Sequence, residues 1–394
     1  MKKNSLKKLY LITNNTLRQV LVSFYGLVIP FMVIHFSNKE IWGDFVSIYL
    51  FCLLALQIIN WGNKEYLLRK FSQNPADMVA VFSENTTTRF PLVLLLAGIG
   101  LFFFSIHFGI WILFWLFGRY LNHSIEALLL YEKKFKEAML IEFGSFLIFS
   151  IVFICLKSQL NTYLLLISFS NYQLLKGLLY FVLFKNYFFL RQAKLNLAYF
   201  KKSFPFFLLS IMGFLVSRID VYIIEKFCNK IITANYQILN NLLVFIMSIS
   251  AFTYAPFTKI IYRNTENSMV KSKKTLALIG LFIVPIGLII IQAITIWFLK
   301  SNLPLLFFGI AFLYVYPSYI YGLDIVNLFK QHQEKIVIIN LSIGVIINSA
   351  LSSLFLHLNY GITGVLLGSA IAQLIVMVLF KLVNPLLKRI SAHD

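Results

Sequence analysis

Twelve apolar runs follow one another along the chain, near 17–36, 44–61, 90–108, 110–131, 139–156, 160–184, 205–224, 234–257, 276–299, 303–329, 336–356 and 361–382. Each is about twenty residues long, the length a helix needs to cross the hydrocarbon of a bilayer. In hydrocarbon every backbone N–H and C=O needs an internal partner, so only helices and closed barrels can span it. Barrel strands would read as ten-residue alternations, which these runs are not. The rest of the composition agrees: 59% of residues are hydrophobic and 13% charged, with a mean hydropathy of +0.81, against about 25% charged in soluble domains. The expected fold is an all-α polytopic membrane protein of about 12 transmembrane helices.

The basic residues give the spans a direction. Of 35 Lys and Arg, 27 fall in alternate connections and at the two ends, counting Arg18 and Lys381 at the cytoplasmic edges of the first and last spans. Only Lys39, Lys157, Lys226, Lys230 and Lys300 lie in the other connections, and Arg119, Lys176 and Arg218 lie within spans. Basic loops stay on the cytoplasmic side, so both termini are expected there, in a bacterial inner membrane. The formal charge of +20 is accounted for by orientation and anionic lipid, which makes membrane lipids partners and leaves nucleic acid without a role. The first apolar run lacks a small-residue cleavage site and reads as a retained helix rather than a signal peptide. Cys52, Cys155 and Cys228 are scattered and suggest neither a disulfide framework nor a metal site.

The connections on the outer side are short, such as SNKEIWGD at 37–44 and HLNYG at 357–361, too short to host a catalytic domain. The longer inner stretches 63–89 and 185–204 mix aromatics with bases, as helices lying in the interface do. A break near residue 204 divides the chain into 1–204 and 205–394, six spans each, which suggests a parallel repeat of two six-helix bundles around a central cavity.

Ionisable groups at membrane depth are costly unless they face a partner or a watery space. Arg119, His123 and Glu126 recur at i, i+4 and i+7 and share one face of the fourth span. They form either an anion-binding or proton-responsive stripe or a self-neutralising Arg–Glu pair. Arg218 and Asp220 lie about 200° apart around a helix, so each is expected to find a partner on another helix. Lys176 is the third base within a span. The amides Gln237, Asn240 and Asn241, and the pair Asp324 and Asn327, read as cross-links between helices. Pro30, Pro285 and Pro317 are positions where a span can kink, and Gly364, Gly368 and Ala372 form a small face for close packing. The histidines His35, His107, His332, His357 and His393 show no metal spacing, and no nucleotide-binding or nucleophile motif occurs. The sequence therefore offers no catalytic residue, no metal ligand set and no cofactor site, and reads as a transporter rather than an enzyme.

Four stretches resemble the polysaccharide-unit flippases, the O-antigen and capsule exporters of the multidrug/oligosaccharidyl-lipid/polysaccharide exporter superfamily. They are WGDFVSIYLF at 42–51, WGNKEYLLRKF at 61–71, RIDVYIIEKF at 218–227 with ANYQILNNLL at 234–243 and Pro256, and NYGITGVLLGSAIAQ at 359–373. Ala234-Asn235 departs from the Gly-Ile common there. The resemblance implies two six-helix bundles around a cationic cavity that opens to each side in turn. Its cargo would be an undecaprenyl-pyrophosphate-linked oligosaccharide, moved from the cytoplasmic to the periplasmic leaflet, with a polysaccharide polymerase and chain-length machinery as partners. Arg119, Arg218 and Lys176 are then the candidates for the anionic headgroup, because basic groups and above all the guanidinium fork suit phosphate oxygens. His123, Glu126 and Asp220 are candidates for ion or proton coupling. The alternatives are an oligosaccharide-lipid polymerase or ligase, which the short outer loops disfavour, a drug exporter of the same superfamily, which would call for acidic cavity residues, and a lipid II flippase.

Overall fold

A computed structural model describes residues 2–188, 194–254 and 266–390, and every regular element among them is a helix. Pro256 and His393, singled out above, lie outside the described residues. Ten predicted spans are single helices: α1 (Lys2–Phe36), α2 (Lys39–Asn60), α4 (Met78–Phe103), α5 (Ile106–Glu132), α6 (Phe135–Leu156), α7 (Thr162–Leu183), α10 (Lys230–Tyr254), α11 (Glu266–Trp297), α14 (Glu334–His357) and α15 (Gly361–Ile390). The other two are broken, into α8 (Ala198–Val216) with α9 (Ile219–Phe227), and α12 (Leu305–Val315) with α13 (Pro317–Lys330). A short helix, α3 (Asn63–Gln73), joins α2 to α4.

Eleven of these segments are long and apolar enough to cross a membrane. The twelfth, α5, has 27 residues, about 40 Å of helix, and is less apolar because it carries Arg119, Asn122, His123, Ser124 and Glu126. The chain is a multi-pass membrane protein.

The breaks have local causes. Pro317 opens α13 directly after Tyr316, as a ring without an N–H does best at a first helical position. Pro30 and Pro285 stay inside unbroken helices. Between α8 and α9 the N–H groups of Ser217 and Arg218 turn back to Phe214 and Leu215, three residues away.

Residues 78–89, expected as part of an interfacial connection, belong to α4 instead. Their polar side chains are satisfied within the bundle: Thr86 donates to the Phe82 carbonyl at 2.7 Å and Thr88 to that of Glu84 at 2.8 Å. Of the two stretches expected as interfacial helices, 63–73 is helical (α3), and among the described residues of 185–204 a 3₁₀ turn, Lys185–Tyr187, precedes α8.

The chain divides into two compact units, Met1–Ile211 and Met212–Asp394. In the first, the start of α8 is clamped to the α2–α3 turn. Trp61 stacks on Phe207 at 4.0 Å, its indole N–H donates to the Phe200 carbonyl at 3.1 Å, and Tyr199 donates to the Trp61 carbonyl at 3.0 Å. Gly62 makes that approach possible. Its φ is +64°, and a Cβ there would meet the Phe206 and Phe207 backbone at 2.7 Å. At the centre of the same unit α5 and α7 touch through glycines. A Cβ on Gly177 would lie 2.2 Å from the Gly118 carbonyl oxygen, and one on Gly118 would lie 2.3 Å from that of Gln173. In the second unit α14 and α15 are similarly close, a Cβ on Gly368 falling 2.6 Å from the Ser352 nitrogen. This is the packing role that small residues serve between membrane helices.

Candidate functional site

In the first unit the ionisable groups gather around α5. Arg119, His123 and Glu126 are all half-buried, while Tyr120, Leu121, Ser124 and Ile125 between them are buried. Glu126 is not matched to Arg119. Its Oε1 accepts from Lys64 Nζ of α3 at 3.0 Å, and its Oε2 lies 3.8 Å from His123 Nδ1. Asn63, beside Lys64, donates to the His123 carbonyl at 3.1 Å and fixes α3 on this part of α5.

A second pair lies deeper. Lys176 Nζ on α7 sits 2.6 Å from Glu142 Oε2 on α6, with side chains 2% and 1% exposed. Tyr180 donates to the other carboxylate oxygen at 3.0 Å, and Arg18 of α1 approaches the same hydroxyl. Lys176, expected as a headgroup contact, is therefore already countered. Arg18 and Arg119 each lie near enough to act on the charge of Lys176.

Four cations, Arg18, Lys64, Arg119 and Lys176, thus stand against Glu126 and Glu142, with the exposed Glu65 beside Lys64. The two lysines take the two carboxylates. Arg119 keeps no hydrogen-bond or ion-pair partner among the described residues, and the buried Nε of Arg18 is likewise unpartnered. A further cation, Arg89 of α4, is fully buried and held by neutral groups only: Asn85 Oδ1 at 3.1 Å, the Ile59 carbonyl at 3.2 Å and Ser124 Oγ at 2.8 Å. This part of the protein carries a surplus of fixed positive charge in a low-dielectric setting, and that favours an anion.

The second unit holds the opposite arrangement. Asp220, in the first turn of α9, is fully buried. Its carboxylate accepts from Tyr236 at 2.6 Å, Ser369 at 3.1 Å, Asn240 at 3.3 Å and the Val221 N–H at 2.9 Å. The Ser369 hydroxyl also lies 3.0 Å from Asn348 Oδ1, an alternative acceptor for its one proton, and Ser352 donates to that same oxygen at 2.8 Å. No Lys or Arg reaches ion-pair distance of Asp220 among the described residues. Arg218 turns elsewhere, to Asn241 Oδ1. The two residues find separate partners on α10, but Arg218 precedes α9 at the break with non-helical angles, so the helical separation expected between them does not apply. Asp324 pairs with Lys273 of α11, a cross-link between helices of the kind expected of it.

Three members of the first cluster were not singled out in the sequence. Arg18 and Lys64 had been counted with the basic ends and connections, although both contribute to the cluster. Glu142 is the one charged residue of the 139–156 run, and the rule that isolates Arg119 isolates it equally. Among the described residues no group of three or more His, Cys, Asp or Glu could hold a metal ion.

The sequence matches no protein-family model and no curated protein. The fold does match solved structures. A MATE transporter in complex with MaL6 aligns with a TM-score of 0.62 at 13% identity, over 98% of this chain and 96% of that one. An inward-facing multidrug resistance MATE family transporter of the MOP superfamily gives 0.61 at 13% identity, over 93% and 94%. The eukaryotic MATE transporter AtDTX14 gives 0.54 at 14%, over 97% and 96%. Along nearly its whole length, then, this chain has the fold of the MATE transporters of the MOP superfamily.

Proposed function

We propose that the protein is a transporter that moves a lipid-linked anionic oligosaccharide, a polyprenyl-pyrophosphate repeat unit of a surface polysaccharide, between leaflets by alternating access. It would work in the inner membrane with both termini cytoplasmic. The observation that carries the reading is Arg119: a half-buried guanidinium without a partner, in a cluster whose two carboxylates are already taken. A guanidinium left so at membrane depth is costly, and a pyrophosphate supplies the planar, doubly accepting oxygens it lacks. Arg18, with its unpartnered Nε, is the second contact. Lys64 and Lys176, each neutralised, position their helices. In a strain that depends on this protein, Arg119→Ala at normal abundance is expected to abolish surface polysaccharide and leave lipid-linked units facing the cytoplasm. Wild-type export by that variant removes the anion site.

Asp220 is the coupling group in this reading. Its carboxylate is buried among neutral donors, so a proton or a monovalent cation is the partner that would neutralise it. Asp220→Asn keeps the shape of the site and is expected to leave the protein folded. Transport into proteoliposomes should then lose its response to an imposed proton or sodium gradient. If the variant responds as the wild type does, coupling lies elsewhere.

A drug-exporter reading is favoured by one observation, the likeness to multidrug resistance transporters in the solved structures. It predicts efflux of lipophilic cations that is indifferent to Arg119.

A further inference from the structure

The α6–α7 hairpin carries a groove of about 380 Å³ that the reading above leaves unused. Ile148 and Val152 of α6 and Leu178 of α7 line it and are 49%, 42% and 43% exposed. The groove therefore opens outward, onto a face where Leu140, Leu147 and Ile151 are exposed as well. On a membrane-spanning helix such a face meets hydrocarbon, and the volume lies in the range of small-ligand sites.

Two polar groups interrupt this apolar lining. Ser168 is 5% exposed, and its hydroxyl has no partner. Asn171, one turn on, is exposed and falls at the middle of the 22-residue helix α7. The groove also abuts the cationic cluster. Its Tyr172 ring lies 5.8 Å from the Lys176 ammonium, and its Ser145, whose hydroxyl donates to the Ile141 carbonyl at 2.6 Å, lies one helical turn from Glu142 on α6.

Polar groups without partners at this depth are unfavourable. A resident phospholipid does not relieve them, because its head stays at the interface and only its chains reach mid-depth. A lipid whose head is being carried through the bilayer does bring oxygen there. We infer that the α6–α7 groove holds the first isoprenoid units of the polyprenyl carrier, with Ser168 and Asn171 placed for the phosphoryl oxygen where tail and head join. This rests on the transport reading above and adds the place where the tail enters. The head then reaches the Arg119 side past Tyr172, while the remaining tail stays in the bilayer.

The test uses the full-length protein in lipid nanodiscs. One probe is a polyprenyl pyrophosphate with a photoreactive diazirine on the isoprenoid nearest the phosphate; the other is phosphatidylglycerol with the diazirine on an acyl chain. The polyprenyl probe should label peptides within 145–178, be displaced by unlabelled polyprenyl pyrophosphate, and lose labelling about ten-fold in Ser168→Phe and in Leu178→Trp. The second variant changes only the half-exposed rim and guards against misfolding of the first. Equal, undisplaced labelling by both probes overturns the inference. Labelling of other helices by a probe that still binds in an Arg119-dependent way overturns the groove and leaves the transport reading standing. A probe that does not bind at all overturns both.

Discussion

Glu142→Gln is expected to destabilise the folded protein by about 3–5 kcal/mol, because it strands the Lys176 ammonium where only 2% of the residue is exposed. Removing one partner of a buried pair leaves the other charge desolvated without an anion, and Tyr180 offers only a neutral hydroxyl. Lys176→Met should be similarly harmful through the stranded carboxylate. The double variant Glu142→Leu/Lys176→Met removes both charges and should unfold close to the wild type, since apolar replacements of a buried pair are often neutral or stabilising. Thermal unfolding in detergent decides it: a double variant as unstable as the sum of the singles would show that the two charges do not act as a unit. The same double variant should still transport, because the Lys176 ammonium is held by Glu142 and the headgroup contact falls to Arg119.

Gly177→Leu is expected to prevent accumulation of folded protein. The obstacle at Gly177 is the backbone of α5, at 2.2 Å from an added Cβ, and backbone cannot rotate aside as a side chain can. Even Gly177→Ala forces the two helices apart and should lower stability by about 1–3 kcal/mol. It should also impair transport in whatever protein folds, since Gly118 precedes Arg119 and Gly177 follows Lys176. The glycine contact thus sets where α5 holds its arginine. Gly98→Ala is the control, because nothing lies within 4 Å of a Cβ there. Helix propensity alone should leave it unchanged or stabilise it by about 1 kcal/mol.

The span count was legible because the hydrocarbon thickness fixes helix length, and a run of apolar residues reports that length directly. Polar residues packed between helices look, in one dimension, like a loop. That is why α4 begins at Met78 rather than near residue 90, and why Arg89 lies buried among Asn85, Ser124 and the Ile59 carbonyl. The break at 316 coincides with Pro317, one of the positions where the sequence allows a kink, whereas the break at 217–218 carries no proline or glycine and its Ser217-Arg218 step looks like part of one continuous span.

Within the candidate site the i, i+4, i+7 spacing correctly placed Arg119, His123 and Glu126 on one side of α5. It could not show that α3 brings Lys64 to Glu126. The Lys176–Glu142 pair, by contrast, was within reach. Glu142 lies 14 residues before the end of α6 at Leu156, and Lys176 lies 14 after the start of α7 at Thr162. In an antiparallel hairpin with a short turn those positions stand at the same height. Partners brought together across long separations, such as Asp220 with Ser369, carry no such register and emerge only from the fold.

The central claim is that this fold carries an anionic lipid-linked sugar, and movement of that molecule between leaflets measures it directly. A polyprenyl-pyrophosphate oligosaccharide with a fluorescent sugar, reconstituted with the protein into liposomes, is exposed to a quencher confined to the outside. The wild type should let the quencher consume the inner-leaflet half of the signal, while Arg119→Ala should match protein-free liposomes. Wild-type liposomes that quench no further than protein-free ones, while expelling a lipophilic cation, would contradict the account.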